Sequence, residues 1–307
     1  MTLPALALTL GDPRGIGPEI VKTALATPGV AGAVRFVVVG PEGTGVPVDE
    51  SVGRWTGGVG PSATGSTGDA RTAEAGRLAG CAITRAVELA KSGAVQGIVT
   101  APIDKAALAM GGFDFPGHTE MLAQLTAVET AMMLASPRLR VVLATTHLAL
   151  RDVPAAVTIE AITRAARITR AGLIAWFGIS APRLALCALN PHGGDSGRFG
   201  DEEARILAPA AREAGVAGPF PADTVFVRAM RGEFDAVIAP YHDVGMTAIK
   251  VASFGEGVNV TLGLPFPRTS PDHGTALDIA GEGRADARSL VAAIQLCAEI
   301  TARRLTS

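Results

Sequence analysis

Apolar residues in this chain fall in short runs of strand length, separated by longer stretches with helical spacing. The runs lie at Ala5–Leu10, Val34–Gly40, Val95–Thr100, Leu139–Thr145, Arg183–Leu189 and Asp235–Pro240. Helical patterns occupy Pro18–Ala26, Ala73–Lys91, Ile159–Trp176 and Asp201–Glu213, and Asp286–Leu305 reads as one long amphipathic helix. Such alternation predicts βαβ units and a largely parallel sheet. Runs such as VVVG and VVLA have no polar side, which predicts strands covered on both faces. Gly53–Asp69 (GRWTGGVGPSATGSTGD) has no period and is expected to be a surface loop. No internal repeat is visible.

A chain of 307 residues exceeds what one core usually fills, which predicts two domains. Phe115–Leu125 and Gly255–Thr275 are the candidate crossings between them. Aromatics make up only 4% while there are 37 glycines and 20 prolines, which suits Ala/Val/Leu-rich helices packed on sheets with many tight turns. The formal net charge of −2 leaves no basic footprint, so nucleic acid is not an expected partner. Cys81, Cys187 and Cys297 lie in apolar contexts without a CxxC, and are expected to be buried free thiols in a reducing compartment. The stretch MTLPALALTLGDP lacks a basic lead and is short, so it reads as a first strand rather than a signal peptide. No apolar stretch has the length of a membrane span. The expected location is the cytoplasm.

The five histidines all sit in short polar motifs: His118 in PGHTE, His147 in ATTH, His192 in LNPH, His242 in APYHD and His273 in PDHG. Four of these motifs follow an apolar run that reads as a strand. Ligands of open α/β sheets bind outside the carboxyl ends of strands, so imidazoles there are placed for metal or proton chemistry. His147, His192 and His242 each end a strand in the same half of the sheet. Neighbouring strands lie about 4.8 Å apart, so their side chains can converge, and three neutral imidazoles with an open position make a site for zinc or a similar ion. The plainer alternative for each is a hydrogen-bonded loop histidine. Asp243 and Asp195 are either carboxylates that orient a ring or turn-forming aspartates.

Gly11–Glu19 (GDPRGIGPE) follows the first strand and opens a helix, with Pro18 and Glu19 in its first turn. It can present N–H groups to an anion or be simply a tight turn. It is not a dinucleotide fingerprint, because Ile20 stands where GxGxxG needs its last glycine. His118 and Thr119 suit a phosphate or carboxylate, and Thr119 also resembles a helix N-cap. Lys250, Asn259 and Arg268 form a polar series in a Gly-rich apolar stretch. Together they suit the same anions, unless they are solvated surface residues.

With these residues in view, the chain resembles the 4-hydroxythreonine-4-phosphate dehydrogenase family of pyridoxine biosynthesis. The resemblance runs nearly end to end, through GDPRGIGPEI, FPGHTE, ATTHLALRDVP, LNPHGGDSGRFGDEE, GPFPADT and YHDVGMTAIK to FGEGVNVTLGLPFPRTSPDHGTALDIAG. It implies an isocitrate/isopropylmalate-dehydrogenase-like α/β fold of two α/β/α domains with an interdomain cleft. The first domain would be residues 1–125 with 275–307, and the second 126–274. It also implies a homodimer with the site at the subunit interface. One divalent metal (zinc, magnesium or cobalt) would sit on His147, His192 and His242. Substrate would be held by His118, Thr119, Lys250, Asn259 and Arg268. NAD or NADP would bind without a Gly-rich dinucleotide loop.

The implied reaction is oxidation of 4-phosphohydroxy-L-threonine to a β-keto acid, 2-amino-3-oxo-4-phosphooxybutanoate, which decarboxylates to 3-amino-2-oxopropyl phosphate. Lys250 and Asp243 are the candidates for taking the hydroxyl proton. Two positions depart from the pattern. Val244 stands where a polar residue is common, and Arg14 where a small one is. Either could mark a shift to threonate or erythronate 4-phosphate, or to a dihydrodiol dicarboxylate. A metal-dependent phosphatase is the rival from another class, although it would want carboxylates on its metals. A non-catalytic binding protein on the same fold is the other rival, and it would be expected to lack some of these positions.

Overall fold

The structure is a computed structural model and describes residues 3–306 apart from 31, 33, 63, 64, 254 and 256. The chain forms two compact units, Met1–Val128 with Leu264–Ser307, and Glu129–Gly263. The first unit opens with β1 (Ala5–Thr9), α1 (Gly17–Ala26), β2 (Arg35–Glu42), β3 (Glu50–Arg54), α2 (Ser66–Lys91), β4 (Gly97–Thr100), α3 (Lys105–Met110) and α4 (His118–Thr126). The second contains β5 (Ala131–Ala135), β6 (Arg140–Leu143), α5 (Val153–Ala156), α6 (Ile159–Phe177), β7 (Leu184–Cys187) and α7 (Ala208–Ala214). It continues with β8 (Ala217–Phe220), α8 (Ala222–Met230), β9 (Ala236–Ala239), α9 (His242–Ser253) and β10 (Val258–Leu262). The chain then returns to the first unit as β11 (Arg268–Pro271) and α10 (Arg288–Thr306).

In the first unit the strand order is β3-β2-β1-β4-β11, every pair parallel. β1 and β4 are buried at every residue, which requires cover on both faces. α2 packs on β1, β2 and β3, and α10 on β4 and β11. Gly97 lets α10 close in, since a Cβ there would lie 2.9 Å from the Cys297 sulfur.

The second unit runs β10-β5-β6-β9-β7-β8, antiparallel across β10-β5-β6 and parallel from β6 onward. Its core alternates as a pleated sheet must. Val141, Leu143, Val237, Ala239, Ala185 and Cys187 pack with Val225, Phe226 and Ala229 of α8 and Ile249 of α9. Val142, Ile238 and Leu186 point the other way and are buried as well. α6 packs on β5, β6, β9 and β10.

Several elements depart from the pattern-based expectation. The return crossing falls at 263/264 rather than 274/275, because β11 pairs with β4 (Arg268 opposite Ile98). The first crossing falls at 128/129. The expected loop Gly53–Asp69 shortens to 55–65, with Ala63 and Thr64 outside the described residues, because α2 begins at Ser66. The segment expected as one helix from Asp201 includes a widened π-type turn, Glu203–Leu207, before α7. Phe254 and Glu256 of the FGEG motif also lie outside the described residues. Cys187 and Cys297 are buried as expected, whereas Cys81 is partly exposed.

The most consequential difference is α9, which begins at His242 itself, so that this histidine opens a helix rather than ending a strand. Gly245 lets that helix rest on β6 and β9, since a Cβ there would lie 2.7 Å from Leu143 Cδ2 and 2.9 Å from both Ala239 Cβ and Val141 Cγ1. Gly245→Ala should therefore cost about 1–3 kcal/mol through overpacking. Urea unfolding should show a lower midpoint with an unchanged slope.

Candidate active site

β6, β9 and β7 lie side by side and parallel, with Leu143 opposite Ala239 and Leu186 opposite Ile238. Their carboxyl ends therefore open on the same edge of the sheet. His147 follows β6, His242 follows β9 and His192 follows β7, each within a few residues of the strand end. The His147 and His242 rings are neighbours, with centroids 5.4 Å apart and planes tilted by 44°. His242 Nδ1 lies 2.7 Å from Asp243 Oδ1. A carboxylate only accepts, so that bond puts the ring proton on Nδ1 and leaves the Nε2 lone pair for a ligand. This is the arrangement that orients metal-binding imidazoles. Asp243 Oδ1 is thus in hydrogen-bond contact with the His242 ring.

His192 is exposed and lies 3.8 Å (Nδ1 to Oδ2) from Asp223. Among the described residues, no group of three or more His, Cys, Asp or Glu side chains could hold a metal ion. One chain therefore joins His147 to His242 and does not add His192 to them. The backbone around His192 is unusual. His192, Asp195 and Ser196 have φ of 54°, 45° and 59°, with Gly193 and Gly194 also left-handed between them. Non-glycine residues rarely adopt this region, and strain of this sort collects at functional sites. Glu203, which is buried, anchors the turn through Oε1, which accepts from the N–H groups of Leu189 (2.9 Å) and Asn190 (2.7 Å).

In the first unit, His118 opens α4 and Gly117 precedes it as the cap residue, so Thr119 is inside the first turn and is not the N-cap. The helix start has no side-chain cap. His118 is half-buried, but its Nε2 is sealed from solvent and has no hydrogen-bond partner among the described residues. Desolvation, then the nearby charges of Arg268 and Lys105, hold its pKa well below the usual imidazole value. Arg268 is fully buried, donates from Nη2 to Thr100 Oγ1 at 2.5 Å, and is pushed by burial down to about 9. A neutral imidazole and a buried guanidinium at a helix N-terminus form a site with positive potential, suited to a phosphate or carboxylate. Lys105 belongs to this group and was missed in the sequence. The available signal was a lysine directly behind a strand end, in TAPIDKAAL.

Lys250 lies on the exposed face of α9 with Thr247 and Asp243. Asn259 lies on β10, and its Oδ1 is buried without a hydrogen-bond partner among the described residues. Glycine-rich Gly11–Glu19 proves to be a tight buried turn. Asp12 N donates to Pro102 O, Gly15 N to Asp12 O and Ile16 N to Thr275 O. Glu19 accepts from Gly281 N and Ala285 N. Arg14 is buried and committed, with Nε and Nη2 on the Asp12 carboxylate and Nη1 on Thr72 Oγ1. Val244 packs against the core of its unit. His273 spends Nδ1 on Gly274 O.

A parallel α/β scaffold with titratable groups gathered at strand ends has the makings of an enzyme. The chain belongs to the family described as "Pyridoxal phosphate biosynthetic protein PdxA", whose model matches residues 59–297. A 4-hydroxythreonine-4-phosphate dehydrogenase of Desulfosudis oleivorans is 46% identical over 95% of this chain and 95% of its own length. The crystal structure of a 4-hydroxythreonine-4-phosphate dehydrogenase from Klebsiella pneumoniae matches with a TM-score of 0.82 at 38% identity, covering 97% of this chain and 99% of that one. A terephthalate 1,2-cis-dihydrodiol dehydrogenase from Burkholderia xenovorans matches at 0.64 and 27% identity, covering 97% and 98%. The α/β fold expected from the resemblance stands, shared with these solved structures, and the chain is an oxidoreductase of this family. No helix among the described residues is long and apolar enough to cross a membrane.

The His118 environment has a pH consequence. Its folded pKa lies below the unfolded value of 6.5, so the unfolded chain binds the extra proton first. The contribution is intact above that value and is lost as pH falls below it. NMR titration should show the ring neutral well below pH 6.5, and His118→Asn should lose less stability than the parent on acidification.

Proposed function

We propose that the chain is a divalent-metal- and NAD(P)-dependent dehydrogenase of a phosphorylated hydroxy acid. Its preferred substrate is 4-phosphohydroxy-L-threonine, oxidised to 2-amino-3-oxo-4-phosphooxybutanoate, which decarboxylates to 3-amino-2-oxopropyl phosphate. The observation that carries this reading is the division of chemistry between the units. One supplies paired imidazoles, with Asp243 fixing the tautomer of His242. The other supplies the buried guanidinium of Arg268 beside the neutral ring of His118. The imidazole set fits zinc, cobalt or a similar ion, and His147, His192 and His242 would hold it. When bound, the metal supplies Lewis acidity at the hydroxyl being oxidised, and the nicotinamide supplies the hydride acceptor.

The chain's own residues position and discharge the substrate. Arg268, His118, Thr119 and Lys105 hold the anionic end, with neutral His118 acting as a hydrogen-bonding group rather than a charge. The buried Oδ1 of Asn259 needs a donor, which an amino or hydroxyl group of the substrate would provide. Lys250 and Asp243 are the candidates to exchange the hydroxyl proton, and Asp243 also holds the His242 ring through Oδ1. Loss of CO2 then follows from the β-keto acid product.

The working unit is a homodimer with the site at the subunit interface. One observation supports this: Leu148 and Leu150, close after His147 in the chain, and Phe199, which follows His192, are exposed. Neither departure from the family pattern favours another substrate, because Arg14 is tied to Asp12 and Val244 packs into the core.

Purified, metal-loaded protein should reduce NAD or NADP with 4-phosphohydroxy-L-threonine, and chelator should abolish the reaction. Threonate and erythronate 4-phosphates and a dihydrodiol dicarboxylate should be poorer substrates. Phosphate release without nicotinamide reduction would instead indicate a phosphatase. Arg268→Met should raise KM about tenfold to hundredfold, as expected for loss of a charge-assisted bond.

A further inference from the structure

We propose that Glu203 is a positioning residue for His192, holding the histidine-bearing turn in the conformation that metal binding needs. The inference rests on the metal reading above and adds a residue outside the ligand set. His192 is exposed, with Asp223 Oδ2 3.8 Å from its Nδ1, so its location depends chiefly on the backbone it stands on. That backbone is left-handed from His192 to Ser196, a run in which three residues carry a Cβ. Such a run would relax unless it were tied from outside.

Glu203 ties the chain before the histidine and abuts the turn after it. Before it, Oε1 accepts from Leu189 N and Asn190 N, and Oε2 accepts from Asn190 Nδ2 at 2.9 Å. After it, the same carboxylate comes so close to Gly194 that a Cβ there would lie 2.9 Å from Oε2. Glu202 adds a second acceptor to Asn190 Nδ2 at 2.7 Å. The wiring is directional, because all the donors are on the turn and all the acceptors are carboxylate oxygens. Glu203→Gln keeps the size but puts an NH2 where an acceptor is required.

The test is calorimetric titration of the purified full chain with Co2+, together with the visible Co2+ spectrum. Wild type, His192→Ala and Glu203→Gln are compared, with Asp201→Asn as a surface control. Glu203→Gln should bind Co2+ about 10–100-fold more weakly, with a spectrum shifted toward that of His192→Ala. Should it fail to fold, Asn190→Ala should show the same trend to a smaller degree. Weakened binding in His192→Ala with wild-type affinity in Glu203→Gln, or in Asn190→Ala where that stands in, would overturn the proposal and leave the metal reading standing. Unchanged binding in His192→Ala would remove the metal reading and the proposal with it. A lower melting temperature in Glu203→Gln at wild-type Co2+ affinity would show a structural role only, and would also overturn it.

Discussion

The parallel register of β6, β9 and β7 is the constraint on which the rest depends. Parallel neighbours all end on the same edge of their sheet, so whatever follows each strand is delivered to that edge. Leu143 lies opposite Ala239, and the two histidines that follow these strands come to rest with rings 5.4 Å apart. Two-sided burial keeps the register from slipping, because one residue of slip would exchange every side chain between the α8–α9 side and the opposite face. Gly245 completes the device by letting α9 rest directly on β6 and β9.

The first unit solves a different problem, that of keeping a cation buried. Arg268 loses most of its hydration on β11, and burial weakens its hold on its proton. It stays in place through Thr100 on the neighbouring strand β4. His118 answers the same potential by remaining neutral. Both groups would gain from the arrival of an anion, which is the physical basis for proposing a phosphorylated acid rather than a neutral alcohol as substrate.

Much of this was legible in the sequence, and the rest was hidden for identifiable reasons. The strands β1, β2, β4, β6, β7 and β9 are continuous apolar runs because they are buried on both faces. β11, RTSP, is equally buried but polar, so its burial is invisible to a hydrophobic pattern and the return crossing was expected too late. α9 was hidden because Gly245, needed for its close approach, reads as a helix breaker. The histidines were legible by type and by their place behind strands. Their partners were not: Lys105 acts across space on His118, and Glu203 reaches back to a turn that precedes it by more than ten residues. The Gly-rich turn was ambiguous by composition; in the structure the N–H groups of Asp12, Arg14, Gly15 and Ile16 are taken by backbone and by Asp12.

The claim that the histidines act together across two copies is tested most directly by subunit complementation. His242→Ala and His192→Ala chains carrying different tags would be co-expressed, and the mixed pairs isolated. A composite site leaves one of the two sites of each mixed pair intact, so about half of wild-type activity should return, although each parent is inactive. Mixed pairs no more active than either parent would contradict the account.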